Sequence, residues 1–116
     1  MSKNFKSAMI KRDGTVEVRG PFTLNPGEPK SPALVSFYLV QKSGVVDGEP
    51  TYTTVGGEGH WSVGAKEWVG TCSGELLKVG DARGYGMAIL VQAEPPGFAT
   101  WTWSSSLKVT GADTSS

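Results

Sequence analysis

Cys72 is the most reactive side chain in this chain of 116 residues, and it sits in Gly70-Thr71-Cys72-Ser73-Gly74. Glycines at that spacing on either side of a nucleophile have the form of a nucleophile elbow, with Cys in place of Ser. An elbow needs a strand-to-helix turn, with a base and an acid from later segments. No helix follows here, and the single histidine, His60, precedes the thiol. A free cysteine at a Gly-rich strand end packs as a small hydrophobe, so Cys72 is expected to be inert. His60 stands beside Glu58 and Trp61, with Asp47 and Glu49 upstream. A metal or acid–base site needs several converging ligands and groups that orient them, which adjacency in sequence does not supply. Gly56-Gly57-Glu58-Gly59 lacks the following helix N-terminus that a phosphate cradle requires. Glu58, Glu67 and Glu75 have no context that marks a carboxylate pair for glycoside chemistry. The expectation is a protein that is not an enzyme, with no metal and no cofactor.

The tryptophans carry more information. Trp61, Trp68, Trp101 and Trp103 all fall in the second half of the chain. A core of this size holds about two indoles with their N–H groups satisfied, which leaves a surplus for the surface. Exposed aromatics mark contact sites, because they offer broad rigid area at low entropy cost. Trp61 and Trp68, together with His60 and Tyr52, are therefore the candidate binding residues. Trp101 and Trp103 share parity on a strand whose other parity is Thr100, Thr102, Ser104 and Ser106, which suits water. They are assigned to the structural core with Tyr85 and Met87. The function that follows is a non-catalytic protein-interaction or assembly module that associates with itself or with a protein partner. The alternative is a carbohydrate-binding module stacking sugars on Trp61, Trp68 or Trp101, and the third reading is a small hydrolase.

Composition narrows the partners. Eleven basic residues balance eleven acidic ones, so no net field gathers polyanions, and nucleic acid is not an expected partner. One cysteine makes no internal disulfide, and stability must come from packing. Ala8-Met9-Ile10 is far short of the apolar centre of a signal peptide, and Met87 to Val91 is too short to span a bilayer. No membrane partner is expected, and the location is cytoplasmic, or secreted only if a signal has been trimmed away.

The elements that must position these residues are strands. With 16 Gly and 7 Pro, the chain is punctuated too often for long helices. The clearest pair is a hairpin from Tyr85 to Val109. Tyr85, Met87, Ile89, Val91 and Ala93 alternate on one arm, Glu94-Pro95-Pro96-Gly97 turns, and Ala99, Trp101, Trp103, Leu107 and Val109 alternate on the other. Both arms carry their larger apolar groups at odd positions, which assigns those faces to the core. Gly59 to Cys72 forms a tighter hairpin about Gly64-Ala65, which sets Trp61 opposite Trp68. Phe5 to Ile10 and Thr15 to Arg19 flank an Asp13-Gly14 turn, and Asn25 to Pro32 makes a crossing between sheets. Ala33 to Gln41 is a central strand, apolar on both faces. Lys42 to Pro50 is a loop, and Tyr52 to Val55 is a short strand that Gly56-Gly57 ends. The sum is seven to nine strands in an all-β, two-sheet antiparallel sandwich, with a jelly roll or small barrel as alternatives. Residues 1–110 form the single domain, and 111–116 a small polar tail.

Asp81-Ala82-Arg83-Gly84-Tyr85-Gly86-Met87 resembles the strand-F signature of immunoglobulin-like and fibronectin type III-like sandwiches: an Asp, a Tyr four residues on, and a core residue two beyond. The resemblance implies that Tyr85 closes a tyrosine corner, its hydroxyl bonding back to the chain at the strand's entry. Met87 stands where antibody-type domains carry cysteine. Phe37 or Tyr38 takes the place of their buried Trp.

Overall fold

The computed structural model describes residues 3–24, 31–93 and 96–111. Seven strands follow one another: β1 Ser7–Ile10, β2 Thr15–Pro21, β3 Ala33–Val46, β4 Glu49–Trp61, β5 Glu67–Ser73, β6 Gly80–Gln92 and β7 Gly97–Gly111. They form a single sheet in the order β1-β2-β5-β4-β3-β6-β7 that closes into a barrel. Every neighbouring pair is antiparallel except the closing one, where β1 lies parallel to β7 with Ala8 beside Val109. This corrects the expected immunoglobulin-like sandwich. β1 pairs with β2 on one side and β7 on the other, so the two ends of the sheet meet, and among the described residues there is no second sheet for it to pack against. The small-barrel alternative is the architecture that fits.

Closure gives one inside and one outside, and side-chain period two assigns every residue to one of them. The inside is aromatic. Trp68 is fully buried near the centre, its ring 5.6 Å from Phe5, 5.6 Å from Phe37 and 5.9 Å from Trp103. Phe22 extends the cluster, 4.8 Å from Trp61 and 5.7 Å from Trp101. A seven-stranded barrel has little interior volume, so these rings fit only where the facing wall is bare. The register supplies the bare positions: Phe37 lies between Gly57 and Gly86, Trp103 opposite Gly86, and Trp68 opposite Gly20. A Cβ added at Gly70 would stand 2.8 Å from Phe37 Cε1, and one at Gly84 2.6 Å from Phe5 Cε2. At Gly86 it would run into the Trp103 ring itself.

The β6–β7 hairpin forms, with Gln92 paired to Gly97, although Glu94 and Pro95 lie outside the described residues. Its faces differ from expectation. On β7 the odd residues Trp101, Trp103, Leu107 and Val109 point inward, whereas on β6 the even residues Ala82, Gly84, Gly86, Ala88 and Leu90 do. Tyr85 and Met87, expected in the core, are 45% and 41% exposed on the outer wall. The Tyr85 ring lies under the Arg83 guanidinium at 5.9 Å, and its hydroxyl has no backbone partner among the described residues, so no tyrosine corner forms.

The arms that carry Trp61 and Trp68 have the predicted register, but the turn between them is centred on Val63-Gly64 rather than on Gly64-Ala65. Glu58 pairs with Thr71 and His60 with Val69, and the turn closes through Ala65 N–H donating to Ser62 O at 3.0 Å, with Gly64 at φ +89°. The stretch from Lys42 to Pro50 is a hairpin, not a loop. Asp47 and Gly48 take φ +52° and +81°, both left-handed, which lets a two-residue turn follow the twist of β3 and β4 directly. β4 then runs through Gly56-Gly57 without ending, because Gly57 admits the Phe37 ring on the inside and Gly56 borders the Tyr38 ring on the outside. Most of the Asn25 to Pro32 crossing, and residues 112–116, lie outside the described residues.

Ring-over-glycine packing sets an expected outcome. Gly86→Ala should lower unfolding stability by about 1–3 kcal/mol through overpacking. Gly44→Ala, whose added Cβ would come no closer than 3.6 Å to Thr51 Oγ1, should change it by less than about 1 kcal/mol in either direction. Urea denaturation midpoints of the two variants give the comparison.

Candidate functional site

Trp61 and Trp68 are 3% and 0% exposed and lie inside the barrel. Their indole N–H groups are satisfied internally, Trp61 donating to Ala65 O at 2.7 Å and Trp68 to Asn4 O at 2.8 Å. Neither offers a face to a partner or a sugar. Trp101 and Trp103 are half-buried and packed against the core, with Lys3 Nζ 4.5 Å above the Trp101 ring. Trp103 Nε1 is buried without an acceptor, a donor enclosed by rings. His60 and Tyr52 are on the outside, His60 between Leu34 and Val69, and Tyr52 61% exposed on the β3–β4 arm.

The groups that could do chemistry are kept apart by the barrel wall. Cys72 points inward and is 8% exposed, and burial pushes its thiol up to about 11 from an ordinary value of 9.0. His60 is on the opposite face of the wall, so it cannot take the thiol proton. Glu67 is held by Lys6 Nζ at 2.9 Å and lies 3.8 Å from Arg19. The Lys6 hydrogen bond lowers its carboxyl below the usual range. Glu58 sits on the outer face between Ser36 and Thr71. Among the described residues, no three His, Cys, Asp or Glu side chains converge. A cleft of about 500 Å³ opens between the arm and the β5–β6 connection, lined by Gln41, Lys42, Thr53, Leu76, Lys78 and Asp81. Its floor is already used: Gln41 Nε2 donates to Lys78 O at 2.6 Å, and Gln41 Oε1 accepts from Lys78 N–H at 2.9 Å.

What the fold does assemble is an apolar outer wall. On β3 and β6, Leu34 pairs with Ile89, Ser36 with Met87 and Tyr38 with Tyr85; one step further, Val91 on β6 pairs with Phe98 on β7. All of these side chains face out. Leu34 is 73% exposed, Phe98 72%, Val91 65% and Tyr38 57%. The far side of the barrel is different in kind. There Lys6, just ahead of β1, pairs with Glu67 on β5, and Arg19 pairs with Glu17 on β2 at 2.6 Å. The outer wall over β3 and β6 is largely apolar, and that over β2 and β5 is charged.

Leu34, Tyr38, Ile89, Val91 and Phe98 were not picked out by sequence reasoning as a surface. The signal was present in parity, since Ala33 to Gln41 is apolar on both faces and only one face can be inside. Comparison with family models, with curated proteins and with solved structures finds no match to this chain.

The enclosed thiol gives an expected outcome. A charged, water-soluble alkylating reagent at pH 8 should leave Cys72 unmodified in the native protein and label it fully once urea unfolds the chain, because the buried thiol is out of reach and only the thiolate reacts. Rapid native labelling at pH 8 contradicts the burial described here.

Proposed function

We propose that this protein is a non-catalytic assembly module that docks the outer wall of β3, β6 and the start of β7 onto the same wall of a second copy. The observation that carries this reading is the contiguous exposure of seven large apolar side chains: Leu34, Tyr38, Tyr85, Met87, Ile89, Val91 and Phe98. At ordinary side-chain sizes they present on the order of 800 Å², about one partner's share of a standard interface. Apolar patches on monomers are commonly about 300–600 Å².

Self-complementarity favours a second copy. Two sheets packed face to face about a two-fold axis parallel to the strands bring β3 of one copy over β6 of the other. Leu34 then meets Ile89 and Tyr38 meets Tyr85, apolar against apolar. Two residues past the Val40–Arg83 pair, the same register sets Lys42 of one copy over Asp81 of the other, opposite charges at the rim. Zero formal net charge means that two copies approach without net repulsion. The charged half of the barrel stays in water.

Light scattering across a concentration series tests this. Leu34→Glu places a carboxylate at a residue 73% exposed, so the monomer should keep its denaturation midpoint while association weakens by at least about 30-fold, as for a central contact residue. A variant that associates as the unaltered protein does overturns the reading.

A further inference from the structure

β4 is only partly enclosed by the barrel. It pairs with β5 at Glu58, Gly59 and His60 alone, while its pairing with β3 runs the whole length from Glu49 to Trp61. Thr51 to Gly56 therefore have no strand partner on the side away from β3, among the described residues. Exposed strand edges are ordinarily protected by charge, proline or a bulge. Glu49 and Pro50 stand at the start of this edge, but the six residues after them, Thr51-Tyr52-Thr53-Thr54-Val55-Gly56, hold no carboxylate, amine or proline, and the arm's bulge lies on β3, between Lys42 and Gly44.

We propose that this edge of β4 pairs antiparallel with the same edge of a second copy, about a two-fold axis at Thr54. Residues directly opposite one another in a sheet share a face, so the axis must pass through a residue. With Thr54 on the axis, Tyr52 of each copy lies over Gly56 of the other, and Thr53 meets Val55. Tyr52 is an exposed aromatic ring, and Gly56 is a bare outer position already bordered by Tyr38, whose ring a Cβ at Gly56 would approach to 3.4 Å. An aromatic over a bare edge glycine covers the backbone that the glycine leaves open. The same strand supplies both the ring and the notch, two residues either side of one point, and this makes a second copy the matching occupant. Placing the axis at Thr53 instead sets Tyr52 against Thr54 and Pro50 against Gly56, which brings no ring of the second copy over Gly56. The pairing is confined to Tyr52–Gly56, because Glu58, Gly59 and His60 are already covered by β5 on that side, and no carboxylate lies within it.

The edge is a different surface from the apolar wall, and a subunit with two self-complementary surfaces assembles beyond a dimer. Cysteine cross-linking in the Leu34→Glu background isolates the edge from the wall. Thr54→Cys puts two thiols opposite each other on the axis, at a spacing of about 4.5–5.5 Å between Cα atoms that suits a disulfide. Mild oxidation should convert most of that variant to a covalent dimer on a non-reducing gel. Tyr52→Cys faces Gly56 and should give at least tenfold less. The enclosed Cys72 serves as the background in both. A Thr54→Cys protein that stays monomeric, or a Tyr52→Cys protein that cross-links equally, overturns the pairing.

Discussion

The structure depends on the fit of large rings over bare backbone inside a narrow barrel. Phe5, Phe37, Trp68 and Trp103 share the interior at centroid separations of 5.6–6.3 Å, and each is accommodated because glycine stands where a neighbouring strand would otherwise project a side chain. Rings tilted or edge-on to one another fill this space with favourable quadrupole contacts. The glycines are conformationally ordinary strand residues at Gly57, Gly70, Gly84 and Gly86; what matters there is the missing Cβ. Ring and notch specify each other, and together they fix which residues of seven strands point in.

That constraint also produces the outer surface. β6 must turn Gly84 and Gly86 inward beneath Phe5 and Trp103, so Tyr85 between them has nowhere to go but outward, and Met87, Ile89 and Val91 follow by alternation. β3 does the same with Phe37 inside and Leu34 and Tyr38 outside. The apolar wall is thus a consequence of how the interior is filled, and it falls on neighbouring strands because Phe37 and Trp103 share Gly86 as their bare position. The ion-paired half of the barrel, by contrast, surrounds strands whose inward residues are Val16, Val18 and Trp68. The apolar wall on β3 and β6 and the ion pairs on the far side are the basis of the assembly proposed above, and the proposed edge pairing of β4 extends the same logic to the arm.

Much of this was written locally in the sequence. The strands, the Asp13-Gly14 turn and the Trp61–Trp68 register follow from alternation and turn chemistry. The parity of β6 was legible as well. An even number of residues in the turn after Gln92 sets odd positions of one arm opposite even positions of the other, so Met87 and Trp103 cannot share a face. Apolar bulk on β6 concealed this, because glycine and alanine do not read as a core face unless the rings above them are known. Barrel closure was not legible. It rests on three parallel pairs between Ala8–Ile10 and Val109–Gly111, from opposite ends of the chain, and nothing local marks them. The β3–β4 arm was concealed in the same way, since Gly56 and Gly57 read as a strand end when they are the places where Tyr38 and Phe37 lie close.

The central claim is that aromatic rings occupy the interior and that the aliphatic residues of β3 and β6 form a surface which a second copy covers. Methyl and indole NMR with a soluble paramagnetic agent measures both halves at once. In dilute solution the methyl signals of Leu34, Met87 and Ile89 should broaden strongly, while the indole N–H signals of Trp61 and Trp68 stay sharp. Raising the protein concentration should restore the methyl signals and leave the indoles unchanged. Shielded Met87 and Ile89 methyls together with broadened Trp61 and Trp68 indoles, in dilute solution, would contradict it.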